Sequence, residues 1–276
     1  MEQNRRRATW GGTTLGIVLA LVLNAALARA ASDEDAVATE EFHQTYPLTG
    51  NGRIQLENIN GGVHISVWDR NEVKVDAVKT AHDQQGLKDV EIRVDTRAGS
   101  IAISTHYGKR EENRHDYHGY SAPSVEYTLT VPRNARLDEI KLINGPLDVA
   151  GVTGEVRASC INGKLAAHGL AGEVKLATIN GPLEADFERV APRIELSSVN
   201  GEIRLTLPSD AKARVEATTV HGWINNNFGL HTNDHRWVGH DLNGELGGGG
   251  AEIRLRNVNG PVEIRHADDS RALSPA

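Results

Sequence analysis

Three successive stretches, VRASCINGKLAA (residues 156–167), VKLATINGPLEA (174–185) and IELSSVNGEIRL (194–205), are near-copies of one another, and their reading decides the fold. Each has apolar residues in alternation (Val156/Ala158, Val174/Leu176, Ile194/Leu196), which is the period of a strand with one buried face. Each then has Ile or Val, an Asn-Gly pair, and a second short alternation that starts at Leu165, Leu183 or Ile203. Asn and Gly tolerate the backbone angles of a tight corner. Working outward, the same unit recurs as IKLINGPLDV (140–149), VEATTVHGWINN (215–226) and IRLRNVNGPVEI (253–264), and far upstream as IQLENINGGVHI (54–65). The corner pairs are Asn60-Gly61, Asn144-Gly145, Asn162-Gly163, Asn180-Gly181, Asn200-Gly201, His221-Gly222 and Asn259-Gly260. From Asn144 onward the spacings are 18, 18, 20, 21 and 38 residues.

Asn-Gly between apolar runs is also a strong hairpin signal, so a meander of hairpins is the competing reading. In-register identity from copy to copy favours like stacked on like, a parallel β-solenoid. The residue before each Asn (Ile59, Ile143, Ile161, Ile179, Val199, Val220, Val258) is always branched and apolar and is expected to break the alternation and point inward. On that expectation Val199→Asp buries a charge and unfolds neighbouring coils. Two residues before each Asn stand Asn58, Leu142, Cys160, Thr178, Ser198, Thr219 and Asn257, so Cys160 reads as one rung of a ladder and not as a nucleophile.

Composition agrees. The 276 residues include 28 Gly, as repeated corners require, and aromatics reach only 4%, so the core is aliphatic. The N-terminus has Arg5, Arg6 and Arg7, an apolar run over 15–27 and Ala28-Arg29-Ala30, and reads as a signal peptide over residues 1–30. Its removal takes four Arg and one Glu and leaves 26 basic and 36 acidic residues, a net charge of −10. That sign opposes nucleic-acid binding, and no transmembrane segment is expected after cleavage. A single cysteine excludes an intrachain disulfide framework. Residues 31–41 read as a disordered acidic lead-in and 268–276 as a disordered tail. One solenoid domain spans 42–267, with an irregular first part (42–134) that caps one end and regular repeats over 135–267.

The seven units, the exported N-terminus and the GELGGGG run (244–250) before the last unit resemble the bacterial DUF4097 family. The resemblance covers about residues 42–267. It implies a right-handed single-stranded parallel β-helix of about 18–21 residues per coil, and an adhesin-like role in the cell envelope, whether periplasmic, on the outer-membrane surface or extracellular. It carries over no catalytic residues.

Two stretches break the rhythm, residues 106–121 and the segment around 228–241. Long loops on a rigid scaffold carry function disproportionately, so Tyr107, Tyr117, Tyr120, Trp223, Phe228 and Trp237 are candidate partner contacts. His115, Asp116 and His118, and His231, Asp234, His235, His240 and Asp241, match no metal-ligand spacing, so no metal and no cofactor is expected. The glycines at 247–250 precede a strand and not a helix, which removes the phosphate-loop reading. The outward row Asp148, Ala166, Glu184, Arg204, Asn225 and Glu263 mixes signs, as a solvated face does. The leading function is a non-enzymatic envelope protein that binds a glycan, another envelope protein or copies of itself. The alternatives are a polysaccharide-active enzyme on a β-helix and an envelope-stress or signalling accessory.

Overall fold

The computed structural model describes residues 37–108, 122–234 and 239–276. Its strands are β1 (Ala38–Pro47), β2 (Arg53–Asn60), β3 (Val63–Trp68), β4 (Glu72–Ala81), β5 (Val90–Arg97), β6 (Ser100–Tyr107) and β7 (Ser124–Pro132) in the first part. The repeats supply β8 (Arg136–Asn144), β9 (Leu147–Ala150), β10 (Val156–Asn162), β11 (Leu165–Leu170), β12 (Val174–Asn180), β13 (Leu183–Phe187), β14 (Arg193–Asn200) and β15 (Ile203–Leu207). They continue with β16 (Ala213–His221), β17 (Ile224–Asn226), β18 (Thr232–Asp234), β19 (His240–Leu246), β20 (Ala251–Asn259) and β21 (Val262–His266). One short helix, α1 (Gln84–Lys88), follows Asp83, whose side chain accepts from the Gly86 N–H at 2.7 Å.

The strands form two sheets. Sheet I runs β1-β4-β7-β3-β9-β11-β13-β15-β21-β17, and sheet II runs β18-β19-β16-β20-β14-β12-β10-β8-β2-β6-β5. The two strands around each corner pair lie in different sheets and pair with their equivalents in the next unit. Val156 faces Val174, Val174 faces Ile194, and Asn162 faces Asn180 in parallel register. This arrangement excludes the hairpin meander. The core is the space between the sheets, filled by the alternating residues: Val156, Leu176, Ile194, Leu196, Val215 and Leu255 are 3% exposed or less, as are Leu147, Leu165, Leu183, Ile203 and Val262 from the second strands. Each such aliphatic contributes about 1.5–3 kcal/mol on full burial.

Four expectations are corrected. The residues before each Asn do not turn inward: the period of two continues unbroken, so Cys160 is 1% exposed and its neighbour Ile161 is 38% exposed. Val199, at 39%, therefore faces solvent, and Val199→Asp buries no charge. The lead-in is not disordered throughout, because β1 begins at Ala38 and pairs antiparallel with β4, Ala38 opposite Ala81. Nor is the tail free. The Ser274 N–H donates to the Ser209 carbonyl at 2.8 Å, the Gly247 N–H to the Pro275 carbonyl at 3.0 Å, and Arg271 pairs with Asp210 at 2.9 Å. The signal-peptide reading falls on residues 1–30, outside the described residues.

The units also do not stack in chain order. β20 lies between β14 and β16, parallel to both, so the Asn259 unit sits between the Asn200 and His221 units. The 38-residue spacing is therefore not a loop inserted into one coil. β18 and β19 form an antiparallel cap on β16, and the chain then returns to fill the gap. At the other end β2 is likewise flanked by β6 and β8, with β5 antiparallel outside them.

Candidate interaction surface

The corner builds an unusual edge. Gly181 has φ +144°, and a Cβ there would stand 2.1 Å from the Gly163 carbonyl oxygen. The backbones stack too closely for any side chain, as the Gly181 N–H bond to the Asn200 carbonyl (2.9 Å) also shows. Behind the corners of three units, the buried residue two before the corner pair caps the glycine carbonyl of the adjacent unit, whereas Thr178 Oγ1 and Ser198 Oγ, at the same position, are buried without a hydrogen-bond partner. Cys160 Sγ donates to Gly145 O at 3.4 Å, Thr219 Oγ1 to Gly260 O at 2.9 Å, and Asn257 Nδ2 to Gly201 O at 2.8 Å. Leu142 has no donor, and Asn58 Nδ2 reaches Gly61 O at 3.1 Å in its place. Burial pushes the Cys160 thiol up to about 11, so it is held neutral as a core donor.

In front of the corner the asparagines form a ladder. Asn144, Asn162, Asn180, Asn200 and Asn259 each donate Nδ2 to the Oδ1 of the preceding Asn, at 2.8–2.9 Å. Asparagine suits this because one side chain both donates and accepts. Beside it runs a row of exposed aliphatics, in spatial order Ile59, Ile143, Ile161, Ile179, Val199, Val258 and Val220, each 38–43% exposed. Trp223, 52% exposed, stands at the His221 end.

Beside this row, on the same outer face of sheet II, lies an open groove of about 550 Å³ over β8, β10, β12 and β14. Its floor includes the small residues Ser159 and Ala177, and its walls carry Asp138, Glu155, Arg157, Glu173, Lys175, Arg193 and Glu195. Glu155 pairs with Arg157 and, at 2.6 Å, with Arg136; Lys175 pairs with Glu195 at 3.5 Å. On sheet I, Arg204 bonds Glu184, Glu202 and Glu263 at 3.0–3.2 Å. Burial alone would raise the Glu263 carboxyl, but hydrogen bonds from Arg265 and Arg204 outweigh it and hold the group below its ordinary value. Ala166, read as outward in that row, is 1% exposed.

Of the aromatic candidates, Trp223 is exposed. Phe228 is 3% exposed and meets the His266 ring edge-on at 5.9 Å, so it belongs to the core. Tyr107 is half-buried, with its hydroxyl donating to Asn60 O at 3.3 Å, and burial raises its pKa. Tyr117, Tyr120, Trp237, His115, Asp116, His118 and His235 lie outside the described residues. Described residues near them in sequence lie beside the two ends of the aliphatic row: β6 ends at Tyr107 against Asn60, and β19 starts at His240 opposite Thr219. Among the described residues, no group of three or more His, Cys, Asp or Glu is placed to hold a metal ion, and no helix is long and apolar enough to cross a membrane. The groove and the aliphatic row were missed in the sequence. The signal for both was strict alternation, which puts residues 157, 159 and 161 on one face.

A family profile described as Toastrack DUF4097 matches residues 48–265. A comparison with curated proteins finds no match. Among solved structures, similarity extends to a "putative cell adhesion protein" from Clostridium sporogenes ATCC 15579, at 12% identity over 83% of this chain and 100% of that one, with a TM-score of 0.46. It extends also to a "putative adhesin" from Bacteroides fragilis NCTC 9343, at 13% identity, 83% and 97% coverage and a TM-score of 0.31. A "putative lipid binding protein" from Parabacteroides distasonis ATCC 8503 matches at 9% identity, 83% and 97% coverage and a TM-score of 0.26.

Proposed function

From the premise that the chain belongs to the Toastrack DUF4097 family, we propose that it is an exported, non-enzymatic protein of the cell envelope that works by adhesin-like binding. Its scaffold on this reading is a right-handed single-stranded β-helix of about 18–21 residues per coil, and its binding face is the groove on sheet II. The observation that carries the reading is the pairing within the groove. Glu155 is engaged by Arg136 and Arg157, and Glu195 by Lys175. A general acid or base needs a carboxyl free to reach a substrate proton; these carboxylates are instead engaged by neighbouring cations. Fixed charges of both signs over a small-residue floor suit recognition of a polar partner such as a glycan or an envelope protein.

Retention tests this. The purified protein should be retained by isolated cell envelopes, and a double charge reversal, Arg157→Glu with Lys175→Glu, should reduce retention at least about tenfold. Retention that is unchanged in a folded double variant would overturn the groove as the binding face. Turnover of envelope polysaccharide that is lost in Glu155→Gln would overturn the non-enzymatic reading. Export is checked by mass: the secreted form should begin at Ala31.

A further inference from the structure

We propose that the aliphatic row at the corner is a self-association surface, and that two copies of the chain pair side by side along it. This goes beyond the envelope-binding reading and concerns the corner edge of sheet II, beside the groove on the same outer face. The outer surface of sheet II is otherwise charged or small-polar, yet Ile59, Ile143, Ile161, Ile179, Val199, Val258 and Val220 follow one another over seven adjacent strands. Six steps at the ~4.8 Å strand spacing make a row about 29 Å long. With Trp223 it presents on the order of 600 Å² of apolar surface, the top of the ~300–600 Å² range for a monomer's largest patch. The asparagine ladder alongside widens the contact toward the ~800 Å² per partner of a standard interface.

The repeat distance selects the occupant. An extended peptide laid along the row presents same-side residues every ~6.8 Å and loses register with a ~4.8 Å ladder within two or three rungs. A second stack of β-strands has the same spacing and keeps register over all seven. A two-fold pair is also self-complementary: aliphatic knobs of one copy seat between those of the other. The fourth rung, Ile179, is the middle of the row, so a two-fold pair that uses the whole row brings it close to its own counterpart. Both copies carry the same net negative charge, and the contact itself is uncharged. Salt therefore screens the repulsion and strengthens the pair, opposite to its effect on an ionic contact.

Sedimentation of the protein, expressed with its own N-terminal segment and purified, decides the matter. The expected result is a monomer–dimer equilibrium that tightens from low to high salt. Ile161→Lys and Ile179→Lys should each weaken it at least about tenfold, while Thr128→Lys, the same charge change outward on sheet I, should not. A protein that stays monomeric at every concentration and salt overturns the proposal, as does a dimer unaffected by folded row variants. If the lysine variants fail to fold, crosslinking still decides. The native Cys160 is 1% exposed, so an Ile179→Cys variant carries one accessible thiol. It should form a disulfide-linked dimer on oxidation, and Thr128→Cys, outward on sheet I, should not. Equal crosslinking of the two would overturn the pairing.

Discussion

At the scale of single residues, neighbours in sequence have opposite fates, and hydrophobicity alone misassigns them. Val199 and Leu196 are both aliphatic, yet Leu196 is 1% exposed and Val199 is 39% exposed. The strict period of two, followed through to the corner, was the legible signal; the strong apolar character of Val199 obscured it. Val199→Asp should therefore shift the urea midpoint little, within about 0.5 kcal/mol. Leu196→Asp should cost more than about 4 kcal/mol, because it places an unpaired carboxylate between the sheets. Equal losses would return the row to the interior. Glycine makes a second test. Gly181→Ala meets both an unfavourable φ and the Gly163 carbonyl oxygen at 2.1 Å, so it should cost at least about 2 kcal/mol. Gly99→Ala also has positive φ, but nothing lies within 4 Å of the added Cβ, and it should cost less. Chemical denaturation of both variants, side by side, separates stacking from backbone preference.

At the scale of elements, strands and corners were readable because every copy repeats the same compromise between burial and turning. The ends were not. Acidic, small-residue composition made 31–41 and 268–276 look disordered, yet β1 is anchored by its ladder to β4 and the tail by single bonds to Ser209 and Gly247. Such contacts are pairwise and local and leave no periodic trace. The charged rows between neighbouring strands have a pH consequence. Glu263 is held below the ordinary carboxylate value of 4.5 by Arg265 and Arg204, against the effect of burial. A carboxyl whose folded pKa is depressed contributes stability above its unfolded value, and that contribution is lost as pH falls through the folded one. The urea midpoint should hold from neutral pH to about 5 and drop below about 4.5. In Glu263→Gln the drop should be shallower, with a lower plateau at neutral pH. Curves of identical shape would show that the Arg204 cluster adds nothing to acid stability.

At the scale of the whole molecule, the order of units was the part the sequence concealed, for a physical reason. Near-identical repeats present near-identical edges, so any one can pair with any other, and local sequence carries no address. The one trace was the 38-residue spacing before Asn259. In the fold the His221 unit is laid down away from the Asn200 unit, and the last unit enters between them: β20 pairs with β14 and β16, and β21 with β15 and β17. The C-terminal segment is thus an interior member of the stack. In a solenoid, stability is a sum of nearest-neighbour interfaces, so removing 251–276 cuts two interfaces in each sheet and leaves β16 only its antiparallel partner β19, while β17 loses its partner in sheet I. Hydrogen exchange on this truncated chain should show loss of protection over 213–246, although every one of those residues is still present. Strands β8, β10 and β12 should keep theirs, because their own neighbours are intact. A stack in chain order would instead lose only its final rung. Protection retained over 213–246 would mean that β16 has closed directly onto β14, and that the order of units is set by which edge is free and not by the chain that joins them.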